Sequence, residues 1–111
     1  DSTMIELYDA MINIKFDESE KFINEGFDTN KRDMSGNTVL HKLINDEESI
    51  ESVMLAVELG FDVNALNAKG HSALYLVRKY MKPDRYNKMI HDYLIENGAV
   101  SKPDILADQW V

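Results

Sequence analysis

A block of residues that returns at a fixed interval constrains this chain more than any other feature. Asp33-Met-Ser-Gly36-Asn-Thr38-Val-Leu40-His41 comes back as Asn67-Ala-Lys-Gly70-His-Ser72-Ala-Leu74-Tyr75, every marker displaced by 34 residues. A second block, Ile23-Asn-Glu-Gly26-Phe27-Asp28-Thr-Asn30, returns at the same interval as Val57-Glu-Leu-Gly60-Phe61-Asp62-Val-Asn64. It returns once more, degraded, as Ile95-Glu-Asn-Gly98-Ala99-Val100. A period in this range marks supersecondary units that bury their apolar faces only by stacking on neighbours.

The blocks have a mechanical reading. Gly26, Gly60 and Gly98 each follow an amphipathic run, where a helix ends in a left-handed residue that glycine adopts cheaply. Gly36 and Gly70 lie in short polar stretches just before Thr38 and Ser72, which fits a turn followed by a helix N-cap. Between start and stop, Leu40, Leu43 and Ile44 and then Ile50, Val53, Met54 and Val57 fall at helical spacing. One unit is therefore turn, helix, helix. Its two helices are expected to run antiparallel across the polar connector Asn45-Asp-Glu-Glu-Ser49, whose acids suit the N-terminal dipole of the second helix.

Ahead of the first full unit, Thr3-x-x-Glu6 and Asp17-x-x-Glu20 resemble capping boxes and predict helices over about 3–13 and 17–25. The last unit is longer, because Gly60 to Gly98 spans 38 residues where Gly26 to Gly60 spans 34. The four extra residues are expected around Tyr80 to Arg85, with helices near 72–81 and 83–97 and Pro83 in the first turn of the second. In the tail, Ile105, Leu106 and Trp110 have helical spacing and are expected to cover the end of the core. The reading is a single all-α domain of about three stacked units. Residues 1–32 form a capping or partial repeat, 33–66 a repeat, 67–100 a repeat with the insertion, and 101–111 a C-terminal cap.

Charge narrows the function. With 20 acidic and 12 basic residues the net charge is -8, which opposes attraction to nucleic-acid phosphates. From Leu43 to Ala68 there are six acids and no Lys or Arg, whereas Lys69 to Lys88 holds Lys69, Arg78, Lys79, Lys82, Arg85 and Lys88 against Asp84 alone; we read these as two solvated helix surfaces. No apolar run approaches the roughly 18 residues a membrane span requires, so no membrane association is expected. Cysteine is absent, which removes disulfides, thiolate metal sites and a thiol nucleophile. The chain begins at Asp1 without a visible targeting segment, and we expect it to be a piece of a longer one.

No constellation of catalytic groups stands out. His71 lies beside a turn and reads as a surface contact, while His91 has no His or Glu at metal-ligand spacing. The acidic runs Asp17-Glu-Ser-Glu20 and Asp46-Glu-Glu48 lack the alternating ligands and central glycine of a calcium loop. Met4, Met11, Met54 and Met89 fit helical core positions. We expect no catalytic residue, metal or cofactor.

The repeated residues resemble the ankyrin-repeat family, whose unit has the form D-x-x-G-x-T-P-L-H near its start and G-x-x-V-N near its end. Asp33, Gly36, Thr38, Leu40 and His41 match the first block, and Gly60, Asp62, Val63 and Asn64 the second. The family's proline is Val39 and Ala73 here, its aspartate is Asn67 in the later unit, and its histidine is Tyr75 there. Leu43 and Val77 replace a small alanine, which implies looser or differently angled helix stacking. The resemblance implies an ankyrin-repeat solenoid with short turn or hairpin tips, a structural role for His41 at the turn, and a concave face lined by the first helix of each unit.

Carried over position by position, it implies a protein-binding surface of Arg32, Met34, Ser35 and Asn37 on one tip and Leu66, Ala68, Lys69 and His71 on the next. Asn45, Asp46, Lys79 and Tyr80 would join it from the first-helix ends. Met34 and Leu66 gain nothing at a solvent-facing tip unless a partner covers them, and a nearby Arg32 suits a hot spot. The expected function is therefore a protein–protein interaction module, monomeric in isolation. By analogy with ankyrin arms of secreted bacterial effectors, it could instead be the recognition arm of a larger enzyme, such as an ADP-ribosylating effector acting on a host protein, and would then reside in a cytoplasm or be secreted into a host cytosol. A third reading is a spacer or intramolecular lid, which would expose Ile5, Tyr8 or Ile12 and self-associate.

Overall fold

A computed structural model describes residues 2–101 and 107–110, and within them the protein is all-helical. The helices are α1 (Ser2–Ile12), α2 (Phe16–Asn24), α3 (Val39–Asn45), α4 (Ile50–Glu58), α5 (Ala73–Tyr80) and α6 (Arg85–Glu96), with a short 3-10 turn at Ala107–Trp110. Consecutive helices pack as pairs, α1 on α2, α3 on α4 and α5 on α6. The pairs join because α3 meets both α1 and α5, and α4 meets both α1 and α6. The molecule measures 41 × 26 × 21 Å.

The expected starts at Thr38 and Ser72 are N-caps. Their hydroxyls accept the backbone N–H of His41 and Tyr75, three residues on. Ser49 and Asp84 cap α4 and α6 in the same way. The front of the chain departs from expectation. Helix α1 already includes Thr3, and α2 starts after Lys15, which makes no side-chain cap, so Asp17 lies inside the first turn. Pro83 sits just ahead of the cap Asp84 rather than inside α6, and the insertion falls between α5 and α6 as expected.

Leu7, Met11, Leu40, Leu43, Val53, Val77, Ile90 and Leu94 are sealed from solvent and form one contiguous core. Met4 and Met11 belong to it, whereas Met54 is half-buried. Met89 corrects the expectation, being largely exposed because Ile90 and Leu94 take the inward positions of α6. Trp110 is buried at the end of the core, where its indole N–H donates to the Arg78 carbonyl at 3.4 Å. Ile105 and Leu106 lie outside the described residues.

Five helices end in one hydrogen-bond pattern, in which an N–H reaches back five residues to a carbonyl: Lys15 to Ala10, Phe27 to Phe22, Glu48 to Leu43, Phe61 to Ala56 and Ala99 to Leu94. This Schellman closure requires a left-handed residue one position earlier. Glycine supplies it at three of the ends. The other two use Ile14 (φ 55°) and Glu47 (φ 53°). A β-branched side chain is the more strained occupant there. Ile14→Gly is therefore expected to raise the unfolding free energy by about 1 kcal/mol, read as a shift of the urea midpoint with unchanged slope. Glu47→Gly should gain less. An unchanged or lowered midpoint for Ile14→Gly would show that its half-exposed side chain contributes more packing than the backbone stores as strain.

Candidate functional site

Each turn is closed by one side chain. Asp33 Oδ1 accepts the N–H groups of Ser35 (2.9 Å) and Asn37 (3.0 Å), and Asn67 Oδ1 accepts those of Lys69 and His71 (3.0 Å each). An Asx turn needs only a side-chain oxygen, so asparagine replaces aspartate without loss. Its amide nitrogen adds something a carboxylate cannot, donating to Asn37 Oδ1 of the preceding turn at 3.1 Å.

Two further groups tie these turns together. The Nε2 of His41 lies 2.9 Å from the His71 carbonyl, while its Nδ1 faces the Thr38 N–H at 3.2 Å and the Thr38 hydroxyl at 2.8 Å. A carbonyl only accepts, so the proton resides on Nε2 and Nδ1 is the acceptor. Arg32 is the second tie. Its guanidinium donates to the Asn30 carbonyl at 3.0 Å and also to the Leu66 carbonyl on the next turn. Arg32, expected in the contact surface, thus has part of its guanidinium engaged by the protein's own backbone.

Six of the expected contact residues converge. Ser35, Asn37, Lys69, His71 and Tyr80 line one groove of roughly 620 Å³ with Asn45, and its floor holds Ile44, Leu76 and Met81. Glu47 and Asn67 complete the lining. The tips supply one wall and the C-terminal ends of α3 and α5 the other. Among the described residues, the Ser35 hydroxyl, the Lys69 ammonium, the Glu47 carboxylate and the Tyr80 hydroxyl have no hydrogen-bond or ion-pair partner. His71 stacks on Tyr75, centroids 4.2 Å apart, which holds its ring against the wall. The floor residues went unnoticed in the sequence because each is largely buried and reads as core; the positions of Ile44 and Met81 at the C-terminal ends of α3 and α5 were the available signal.

The remaining expected residues do not line the groove. Met34 is fully exposed and Leu66 more than half exposed on the tips beside it. Ala68 packs its methyl where a Gly36 side chain would be. Lys79 is exposed next to Tyr80. Asp46 faces the N-terminal pair, accepting the Tyr8 hydroxyl at 2.5 Å; burial and this carboxylate push the Tyr8 phenol well above its ordinary range. Lys42 lies over the Tyr8 ring at 5.1 Å.

A second polar cluster sits at the end of the core. Arg78, counted in the sequence with a solvated basic surface, is buried instead: its Nε–H donates to His91 Nε2 at 3.0 Å and its terminal nitrogen to Ser101 Oγ at 2.8 Å. The Nδ1–H of His91 therefore donates to Asp92 at 2.9 Å, and the ring stacks on Trp110 at 5.0 Å. Burial holds the His91 pKa below its ordinary value, and the bond from His91 holds the Asp92 carboxyl below its own. Arg78, His91 and Trp110 are buried in the cluster, whereas the Asp92 carboxylate is half exposed. Among the described residues no three His, Asp or Glu side chains are grouped to hold a metal ion, and no helix is long and apolar enough to cross a membrane. No protein-family model matches this chain, and no curated protein matches it significantly.

Proposed function

We propose that the chain is an ankyrin-repeat module whose function is to recognise a partner protein in the groove between the turn tips and the ends of α3 and α5, with no chemistry of its own. The ankyrin reading is supported by features that recur at the sequence period: paired Asx turns, paired hydroxyl caps, and a glycine-closed second helix in each full unit. The observation that carries the binding reading is the groove itself. It gathers unspent polar groups around an apolar floor, beside an exposed tyrosine, which is the composition of an interface centre.

The test compares quantitative capture of partner proteins by the parent chain, by Lys69→Glu/Tyr80→Ala, and by a control altered on the far side, Ile5→Ala/Lys21→Glu. Each is first shown to fold by circular dichroism. A partner that uses the groove is expected to lose about 100-fold in affinity for the groove variant, two anchors at about 1.4 kcal/mol each, and none for the control. Equal retention by parent and groove variant would contradict the proposal. Loss confined to the control would favour the lid reading, which the exposure of Ile5, at 66%, keeps in play.

A further inference from the structure

The groove is electrically two-sided. On the α3 side its lip is the connector Asp46-Glu47-Glu48, of which Asp46 is engaged by Tyr8 and Glu47 faces the groove. Lys69 lines the opposite side, and exposed Lys79 and Lys82 flank the lining residues Tyr80 and Met81 at the end of α5. Among the described residues no ion pair joins the two lips, so both charges are presented outward rather than neutralised within the chain. Between them lie Ile44, Leu76 and Met81, with the Tyr80 ring exposed beside them.

Geometry sets the spacing a ligand must have. Helices α3 and α5 pack directly, and packed helices lie about 8–10 Å apart. An extended chain rises about 3.3 Å per residue and turns alternate side chains to one face. Three side chains at alternate positions cover about 13 Å, enough to bridge that interhelix distance with a charged residue at either end.

We propose, building on the binding reading above, that the groove takes an extended segment of a partner protein with an apolar residue flanked, at the second position on either side, by one acidic and one basic residue. The apolar side chain sits on Ile44, Leu76 and Met81 against Tyr80. The acidic one meets Lys69 and the basic one Glu47. Such a segment matches both lips at once, whereas a uniformly charged segment is attracted by one and repelled by the other. In a chain of net charge -8, the lysines at the other end of the groove keep that lip open to a carboxylate.

A displayed library of random peptides, selected on the parent chain and on folded Glu47→Lys and Lys69→Glu variants, tests this. The parent is expected to enrich peptides with both charges about the apolar residue. Glu47→Lys should enrich two acids, and Lys69→Glu two bases. A synthetic peptide from the parent pool should lose at least about tenfold in affinity to either variant and recover it when the facing charge of the peptide is reversed. Selection without charge bias, a bias that survives both reversals, or no selected peptide at all overturns the inference. Tyr80→Ala separates it from the broader reading, since it should weaken every selected peptide without changing which charges are chosen. If Tyr80→Ala weakens binding while charge has no influence, the groove is the binding site and only the two-sided specificity fails. If neither matters, both fail.

Discussion

Gly36→Ala is expected to lower the unfolding free energy by about 3 kcal/mol, while Gly70→Ala lowers it by about 1. The two glycines occupy equivalent turns with nearly the same left-handed backbone, φ 79° and 77°, so the strain of giving that conformation a side chain is common to both. Their surroundings differ. A methyl on Gly36 would lie 2.4 Å from the Ala68 Cβ and 2.9 Å from the Ala68 backbone nitrogen, whereas one on Gly70 meets nothing within 4 Å. Relieving that overlap means parting the two turns, and the His41, Asn67 and Arg32 ties between them part with it. Ala68→Gly in the Gly36→Ala background should recover some of the loss but not all, because the backbone nitrogen remains. Urea denaturation of the parent, Gly36→Ala, Ala68→Gly and the double variant measures this as a double-mutant cycle, with Gly70→Ala alongside. Equal losses at the two glycines would show that turn-to-turn packing carries no stability.

Acid is expected to destabilise the fold through two histidines. His41 and His91 each accept a hydrogen bond on a ring nitrogen that protonation would convert to a donor: Nδ1 facing the Thr38 N–H, and Nε2 facing the Arg78 Nε–H. Burial holds both rings below their ordinary pKa. The neutral ring is thus favoured in the folded state relative to the unfolded one. The resulting stability is complete above the unfolded value near 6.5 and is lost as the pH falls through it, until the lowered folded value is reached. Between those limits the unfolded chain holds more protons, at most two, so stability rises with pH at a slope bounded by about 2.7 kcal/mol per pH unit. Lowering the pH also relieves repulsion within a chain of net charge -8, an opposing effect that high salt suppresses. Denaturation at a series of pH values in high salt reads the slope, and His91→Gln should remove about half of it. A flat profile from neutral pH to about 5 would contradict the tautomers assigned to both rings.

Much of this fold was legible because its signals are local. A glycine after an amphipathic run, or a hydroxyl three residues before a helical N–H, acts within one turn of chain. Thr38, Ser72 and the glycine ends accordingly stand where the sequence placed them. The misreadings share the opposite character. No local signal shows that the Arg32 guanidinium also reaches the Leu66 carbonyl, 34 residues away, or that Asp46 accepts the Tyr8 hydroxyl at a separation of 38. Arg78 read as part of a basic surface because His91, Ser101 and Trp110, which bury it, come from a later helix and the tail. Asp17 satisfied a capping pattern, yet the left-handed turn at Ile14 starts α2 right after Lys15 and leaves Asp17 inside the helix. Of the surface, the tip and helix-end residues Ser35, Asn37, Lys69, His71 and Tyr80 were readable from position within the unit. The apolar floor was not, since Ile44, Leu76 and Met81 carry the same pattern as the core they border.

The measurement that bears most directly on the account is a backbone-amide resonance footprint of the labelled chain on addition of a captured partner or a selected peptide. The account predicts that the perturbed residues cluster on the groove, at Ser35, Asn37, Asn45, Lys69, His71 and Tyr80, with the N-terminal helix pair unmoved. Perturbations centred instead on Ile5, Ile14 and Phe16, the exposed apolar residues of that pair, would contradict it and make this end of the molecule the binding face.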